Sequence, residues 1–273
     1  MLLQLIGSVA LLLWGVRMVR SGVTRALGAE LRRIIAVSSR NPATGFASGL
    51  AVTTLLQSST ATALIIGSFA GRGMIGLSAA LALMLGADVG STLVAQLLAF
   101  DIKWLWTVLV AGGVGLFMSR QGDRPHALAR AVIGLGLMLL ALQELGHLAE
   151  ALRESATVRL VLRAVGTEPL VALLFAAALT WAAHSSIAIV LLVMSLAAAG
   201  VVPPAVAVVF VLGANLGGAF APWVALSGSP PAARRVPLGN LLLRGTMVLV
   251  ALPFARLCTE TLEALTSEPG RLV

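Results

Sequence analysis

The chain has 273 residues, of which 59% are hydrophobic and only 11% charged, with a mean hydropathy of +1.00. Soluble domains carry roughly 45–50% apolar and about 25% charged residues, so the composition excludes an ordinary soluble enzyme or binding module and describes a protein partnered by a lipid bilayer. The net charge of +8 comes from arginines scattered over short loops with no aromatic-interleaved basic patch, which argues against nucleic acid as a partner.

The first stretch, Met1 to Met18, has its arginines after the apolar run and no basic segment before it, so it reads as a retained helix and not a signal peptide. From Arg20 to Arg40 the residues Leu27, Leu31, Ile34 and Ile35 fall at helical spacing between arginines, which predicts a separate amphipathic helix lying at the membrane interface. Pro42 opens an apolar segment to about Leu56. The polar run Gln57-Ser58-Ser59-Thr60-Ala61-Thr62 follows, and apolar sequence resumes to Ala70 before Gly71-Arg72-Gly73. Each arm is shorter than the ~20 residues of a full span, so the pair predicts a re-entrant hairpin whose broken backbone is buried in protein or faces a cavity. A helix from Ile75 to Phe100 contains Gly86-Ala87-Asp88-Val89-Gly90. A further helix runs from Lys103 to Met118, and the polar stretch Ser119 to Pro125 is the best internal boundary.

Beyond that boundary the order recurs. An offset of 127 positions carries Gln57, Ser58 and Ser59 onto His184, Ser185 and Ser186, Pro42 onto Pro169, Ala61 onto Ala188 and Gly73 onto Gly200. The same offset places Gly86 to Gly90 on Gly213-Ala214-Asn215-Leu216-Gly217, without a gap. One Ser-Ser match would be chance, but several features at one spacing indicate an internal duplication. The second half reads as a helix from Leu128 to Leu148, an amphipathic piece from Leu152 to Val165, a hairpin from Pro169 to Ala199, a helix from Pro203 to Leu226, a polar loop from Ser227 to Arg235 and a helix from Leu238 to Leu257.

The expected architecture is therefore all-α and polytopic. A first transmembrane repeat covers 1–122, a second covers 123–257 and a polar tail covers 258–273, each repeat having three transmembrane helices and one re-entrant helical hairpin. An odd number of crossings inverts the second repeat relative to the first. Charge supports one orientation: the side of Arg17, Arg20, Arg25, Arg32, Arg33, Arg40, Arg72, Arg120, Arg124, Arg130, Arg234 and Arg235 outweighs that of Lys103, Arg153, Arg159, Arg163, Arg256 and Arg271, and reads as cytoplasmic in a cell (inner or plasma) membrane. Arg244 lies within a helix and belongs to neither side. Cys258 is the single cysteine, so no intrachain disulfide forms.

Gln57-Ser58-Ser59-Thr60-Ala61 with Gly86-Ala87-Asp88-Val89-Gly90-Ser91-Thr92, together with His184-Ser185-Ser186 and Gly213-Ala214-Asn215-Leu216-Gly217, resembles the type II sodium/phosphate cotransporter family over essentially the whole chain. The resemblance implies a secondary transporter, not an enzyme, that moves inorganic phosphate coupled to sodium ions, with no cofactor beyond the coupling ion. It implies a central phosphate site of Gln57, Ser58, Ser59, His184, Ser185 and Ser186, and a sodium site drawn from Thr60, Asp88, Ser91, Thr92 and Asn215. Bacterial members are associated with export as well as uptake, and relatives often continue into further helices and a soluble helical domain.

Elementary chemistry is compatible with this. A phosphate at bilayer depth needs hydrogen-bond donors, and hydroxyls and amides donate to anions or accept around a cation. Half-helix N-termini in a broken hairpin also favour an anion. The competing account of the serines is close helix packing with back-bonding to their own turns. Asp88 is acidic in mid-span and aligns with Asn215, which suits a sodium ligand, a titrating group or a satisfied structural carboxylate. His184 stands where the family has Gln, and Ile187 where the first motif has Thr60. Those departures put the sodium stoichiometry in question and open proton coupling; the alternatives are a proton-coupled phosphate exporter or a carrier of another small oxyanion and, of another class, a non-transporting membrane subunit. Gly71-Arg72-Gly73-Met74-Ile75-Gly76 matches a dinucleotide fingerprint but has no surrounding βαβ unit, and the duplication explains Ser58, His184 and Asp88 better than a hydrolytic triad does.

Overall fold

The computed structural model describes residues 2–38, 41–100, 102, 104–255, 257 and 259–260. The expectations placed on Arg40, Lys103, Arg256, Cys258, Arg271 and all of the tail except residues 259–260 lie outside the described residues.

Regular structure among the described residues is entirely helical. In chain order the helices are α1 (Leu2–Ser38), α2 (Pro42–Leu56), α3 (Ser59–Gly71), α4 (Leu77–Ala99), α5 (Leu105–Ser119), α6 (Asp123–Glu154), α7 (Ala156–Thr167), α8 (Pro169–Ala183), α9 (Ser186–Ala198), α10 (Pro204–Ala225) and α11 (Pro231–Ala251), with a terminal 3-10 turn at Leu252–Phe254. The 127-residue offset carries α2 onto α8 and α3 onto α9 residue for residue. Both hairpin pairs thus have arms of 15 and 13 residues, joined by two non-helical residues. Segments 2–37, 77–99, 123–149, 204–225 and 231–254 are long and apolar enough to cross a membrane. The protein is a multi-pass membrane protein. The remaining expected crossing, α5, has 15 residues and spans about 22 Å at 1.5 Å per residue, short of the ~30 Å hydrocarbon core.

Expected boundaries are corrected at α6, which runs from Asp123 to Glu154 and not from Leu128 to Leu148, at α7, which starts at Ala156 and not at Leu152, and at two further places. No break follows Met18: α1 is one helix of 37 residues. The stripe Leu12, Val16, Val19, Val23, Leu31 and Ile35 stays buried along its length, so the segment expected at the interface instead continues the packed face. The second repeat does break at the counterpart position. There Ser155 ends α6 and its hydroxyl accepts from Val158 N at 3.4 Å to start α7, whereas the matching Gly28 has no side chain to divert the backbone. The last helix begins at Pro231 and not at Leu238, taking Arg234 and Arg235 into its first turns. Proline at the helix start lacks an amide that would have no partner there anyway.

Close approach between helices rests on glycine. A Cβ on Gly86 would lie 1.9 Å from the Phe46 carbonyl oxygen and one on Gly90 2.6 Å from that of Leu50. The second repeat reproduces both contacts, Gly213 against Leu173 at 2.3 Å and Gly217 against Ala177 at 2.2 Å. Gly-Ala-Asp-Val-Gly and Gly-Ala-Asn-Leu-Gly are therefore small-xxx-small packing motifs that seat α4 on α2 and α10 on α8. Asp88 and Asn215, two residues from each glycine, fall on the opposite faces. Between repeats, Gly22 meets Ala127 and Ala131 while Gly15 meets Gly134 and Met138. As numbers fall along α1 they rise along α6, so these helices run antiparallel.

Gly86→Ala is expected to destabilise the protein in detergent by about 1–3 kcal/mol, the usual effect of overpacking. Gly112→Ala, where a Cβ meets nothing within 4 Å, serves as the control. Thermal unfolding of the two variants side by side checks the packing role.

Candidate functional site

The hairpin tips are built by the same two-residue device. α2 ends at Gln57 in the left-handed region (φ 50°, ψ 34°), and Ser58 (φ −156°, ψ 101°) caps α3 with its hydroxyl oxygen, which accepts from Ala61 N at 3.2 Å. α8 ends at His184 (φ 53°, ψ 28°), and Ser185 (φ −152°, ψ 100°) accepts from Ala188 N at 3.3 Å. Gln57 and His184 are the non-glycine residues with positive φ among those described. Such a conformation costs an L-residue about 1–2 kcal/mol, and its recurrence at both tips marks a place where packing holds strain. The non-helical part is narrower than the polar run suggested, because Ser59 and Thr60 already belong to α3.

Each serine cap uses its oxygen as acceptor and keeps its O–H free to donate. The leading amides of α3 and α9 lack intrahelical acceptors, as at any helix start. The two tips differ in surroundings. Ser58 and Ser59 are buried at 8% and 4% exposure, and the buried Gln57 Oε1 has no hydrogen-bond partner among the described residues. Thr53 Oγ1 donates to Thr62 Oγ1 at 2.8 Å, and Thr62 Oγ1 donates to the Ser58 carbonyl at 3.1 Å, clipping the first hairpin's arms together. In the second hairpin Ile189 replaces Thr62, which leaves the buried Thr180 hydroxyl unpartnered among the described residues. There Ser185 and Ser186 are half-buried and His184 is exposed, its Nδ1 3.0 Å from the Ala182 carbonyl.

A second group lies where the repeats meet. The Arg244 guanidinium of α11 clasps Asp88 of α4, Nε donating to Oδ2 at 3.0 Å and Nη2 to Oδ1, while Nη1 donates to the Asn215 carbonyl of α10 at 2.8 Å. Arg244 is 5% exposed and Asp88 22%. A Cβ placed on Gly218 would lie 3.3 Å from Ser186 Oγ and 3.4 Å from Arg244 Nη1, so the guanidinium sits beside the start of α9. One turn before it, Asn240 is 1% exposed and its Oδ1 has no partner among the described residues.

Of the residues singled out in the sequence, Asp88, Ser91, Thr92, Ser186 and Asn215 line one cleft of about 380 Å³. His184 and Ser185 line another, against α1. Gln57, Ser58, Ser59 and Thr60 line neither of the two. Ser91 and Thr92 also donate back to the Asp88 carbonyl at 2.8 and 3.2 Å, as hydroxyls in membrane helices do. Sequence reading passed over Arg244 and Asn240. The signal for Arg244 was available: an arginine in mid-span carries the same presumption of function as Asp88, and opposite charges in lipid-spanning helices seek each other.

Helices broken at matched points in the two halves, with five segments long and apolar enough to cross a membrane and a buried ion pair where the halves meet, define a multi-pass membrane protein built by duplication. The Na+/Pi-cotransporter family model matches this sequence twice, over residues 11–147 and 148–262, and the chain belongs to that family. It is 39% identical over 272 residues to the "Putative inorganic phosphate export protein YjbB" of Escherichia coli (strain K12), and 38% identical to the protein of that name from Salmonella typhimurium. All of this chain aligns, but it spans about half the length of those curated relatives (50%). The "Uncharacterized protein YqeW" of Bacillus subtilis is 27% identical, with 89% of its length covered. No solved structure matches.

Removing one member of a buried pair strands the other charge, at about 3–5 kcal/mol, whereas removing both is far milder. Asp88→Asn and Arg244→Gln should each lower the unfolding midpoint in detergent, and the double variant should unfold at a higher temperature than either single one. Additive losses would show that the pair is not coupled.

Proposed function

We propose that this chain forms the membrane core of a carrier that moves inorganic phosphate by alternating access, coupled to sodium. The observation that carries the reading is the pair of helix breaks with the same backbone geometry at Gln57-Ser58 and His184-Ser185. Each presents a free hydroxyl proton and uncapped amides, a donor set suited to an oxyanion stripped of water. The antiparallel course of α1 and α6, which are counterparts in the duplication, supports an inverted repeat. The contrast between a buried first tip and a more open second tip supports a state open on one side.

Asp88, Ser91, Thr92 and Asn215 around one cleft are the reading for sodium. A cation at the Asp88 carboxylate competes with Arg244 for the same oxygens. Releasing the guanidinium beside Ser186 would supply a positive charge for phosphate only when sodium is bound, which is what coupling requires. A second reading, proton-coupled export, is favoured by the exposed His184 ring at the more open tip; the relatives named for export bear on direction alone.

In proteoliposomes, labelled phosphate flux should follow an imposed sodium gradient at fixed pH. Flux that ignores sodium and follows a pH gradient overturns sodium coupling, and absence of flux for any small oxyanion favours a non-transporting subunit. A second expectation concerns the caps, since Ser→Ala at an N-cap alone costs about 1 kcal/mol. Ser185→Asp keeps the cap acceptor while placing a negative charge at the tip, so it should hold the unfolding midpoint near that of the unsubstituted protein and lower flux more than about tenfold. Unchanged flux would remove Ser185 from the anion path.

A further inference from the structure

The cleft that receives His184 and Ser185 encloses about 870 Å³, and its opposite wall is one face of α1 carrying Trp14, Arg17, Arg20 and Arg25. Among the described residues, no carboxylate lines it. None of these three guanidiniums hydrogen-bonds or ion-pairs with a described residue. Glu30, the acid on the same helix, is taken by Arg124 at 3.0 Å. Arg20 is half-buried in this wall. Three like charges along one apolar helix repel one another, and the half-buried Arg20 is partly stripped of water, so the arrangement is favourable when an anion shares the space. It is not a requirement of the fold, because the duplication places Glu144, His147 and Leu152 at the counterpart positions.

From this geometry we infer that the cleft is an antechamber for a negatively charged phosphate group, with Arg17, Arg20 and Arg25 concentrating the anion at the His184-Ser185 tip. The inference deepens the proposed carrier function and rests on it for the anion's destination. A cleft lined by one sign of charge raises the local counter-ion concentration, and with it the encounter rate, by tenfold or more at low salt. The effect falls as the Debye length shrinks from about 10 Å at 0.1 M to about 3 Å at 1 M ionic strength. Free phosphate and an anionic lipid headgroup share this chemistry, and free phosphate is the occupant assigned, because the cleft ends on the transport tip.

The test compares the whole chain with the R17Q/R20Q/R25Q variant in vesicles of phosphatidylcholine alone and in vesicles containing phosphatidylglycerol, sorted by orientation. From the face onto which the cleft opens, the variant should need about tenfold more phosphate for half-maximal flux at low salt. The gap should close toward 1 M salt, and the opposite face should be unaffected. Equal half-saturation at low salt in both proteins overturns the inference, and so does a difference that exists only when phosphatidylglycerol is present, which would assign the arginines to lipid. If the unsubstituted protein carries no phosphate at all, the carrier reading fails instead. Equilibrium dialysis of labelled phosphate in neutral detergent then decides the antechamber: loss of binding in the variant supports it, and equal binding sinks it. Arg17 and Arg25 are exposed, so R17Q/R25Q provides a second variant should replacing Arg20 impair folding; about a threefold rise in half-saturation supports the inference, and no rise overturns it.

Discussion

A buried guanidinium in a membrane protein needs partners, and each nitrogen of Arg244 finds one only because α4 and α10 converge on α11. Its Nε and Nη2 hold Asp88 of α4 and its Nη1 holds the Asn215 carbonyl of α10. Asp88 and Asn215 are counterparts in the duplication, so the arginine clamps the same point of both repeats from the single helix α11. The glycines on either side of Asp88 and Asn215 make this possible. By letting α4 lie on α2 and α10 on α8 at backbone contact, they turn the intervening polar residues toward the seam.

Around that seam the hairpins solve a second problem. A helix interrupted at bilayer depth exposes backbone groups that lipid cannot satisfy. The chain answers in both repeats with a left-handed residue and a serine cap, the shortest interruption that still turns the backbone. The cap satisfies one amide and leaves other leading amides and a hydroxyl proton without an intrahelical partner. A device that completes the fold therefore also presents donors, which is why the structural and functional accounts of these serines do not compete.

The two hairpins have diverged in how firmly they are held. Thr53 and Thr62 bond across the arms of the first, where the second has Thr180 and Ile189 at the counterpart positions and the Thr180 hydroxyl has no partner among the described residues. The first tip is clipped and enclosed, the second unclipped and open to a wide cleft. An exact duplication would have given two equivalent hairpins, so the substitutions at Thr62/Ile189 and Gln57/His184 are where the symmetry between the halves is lost. This divergence lies within a chain of the Na+/Pi-cotransporter family.

Much of this was legible in the chain alone. Apolar composition, hairpin arms too short to span and a constant offset determined the class, the duplication and the position of both breaks, because helical periodicity, length and repetition are local properties. The sequence also brought Asp88 and Asn215 forward as a matched pair. It misplaced the end of the first helix, since amphipathic spacing after Met18 serves an interfacial helix and a continued packed face equally well. Only the tertiary structure decided what Asp88 binds, for Arg244 is 156 residues away and no local pattern encodes that meeting. Likewise, only packing decided that Gly86 and Gly90 seat one helix on another, that Ser186 shares a cleft with Asp88, and that Ser185 opens instead onto the arginines of α1. Side chains one residue apart along a helix start diverge by about 100°, and which cleft each one enters depends on neighbours brought in from the far end of the chain.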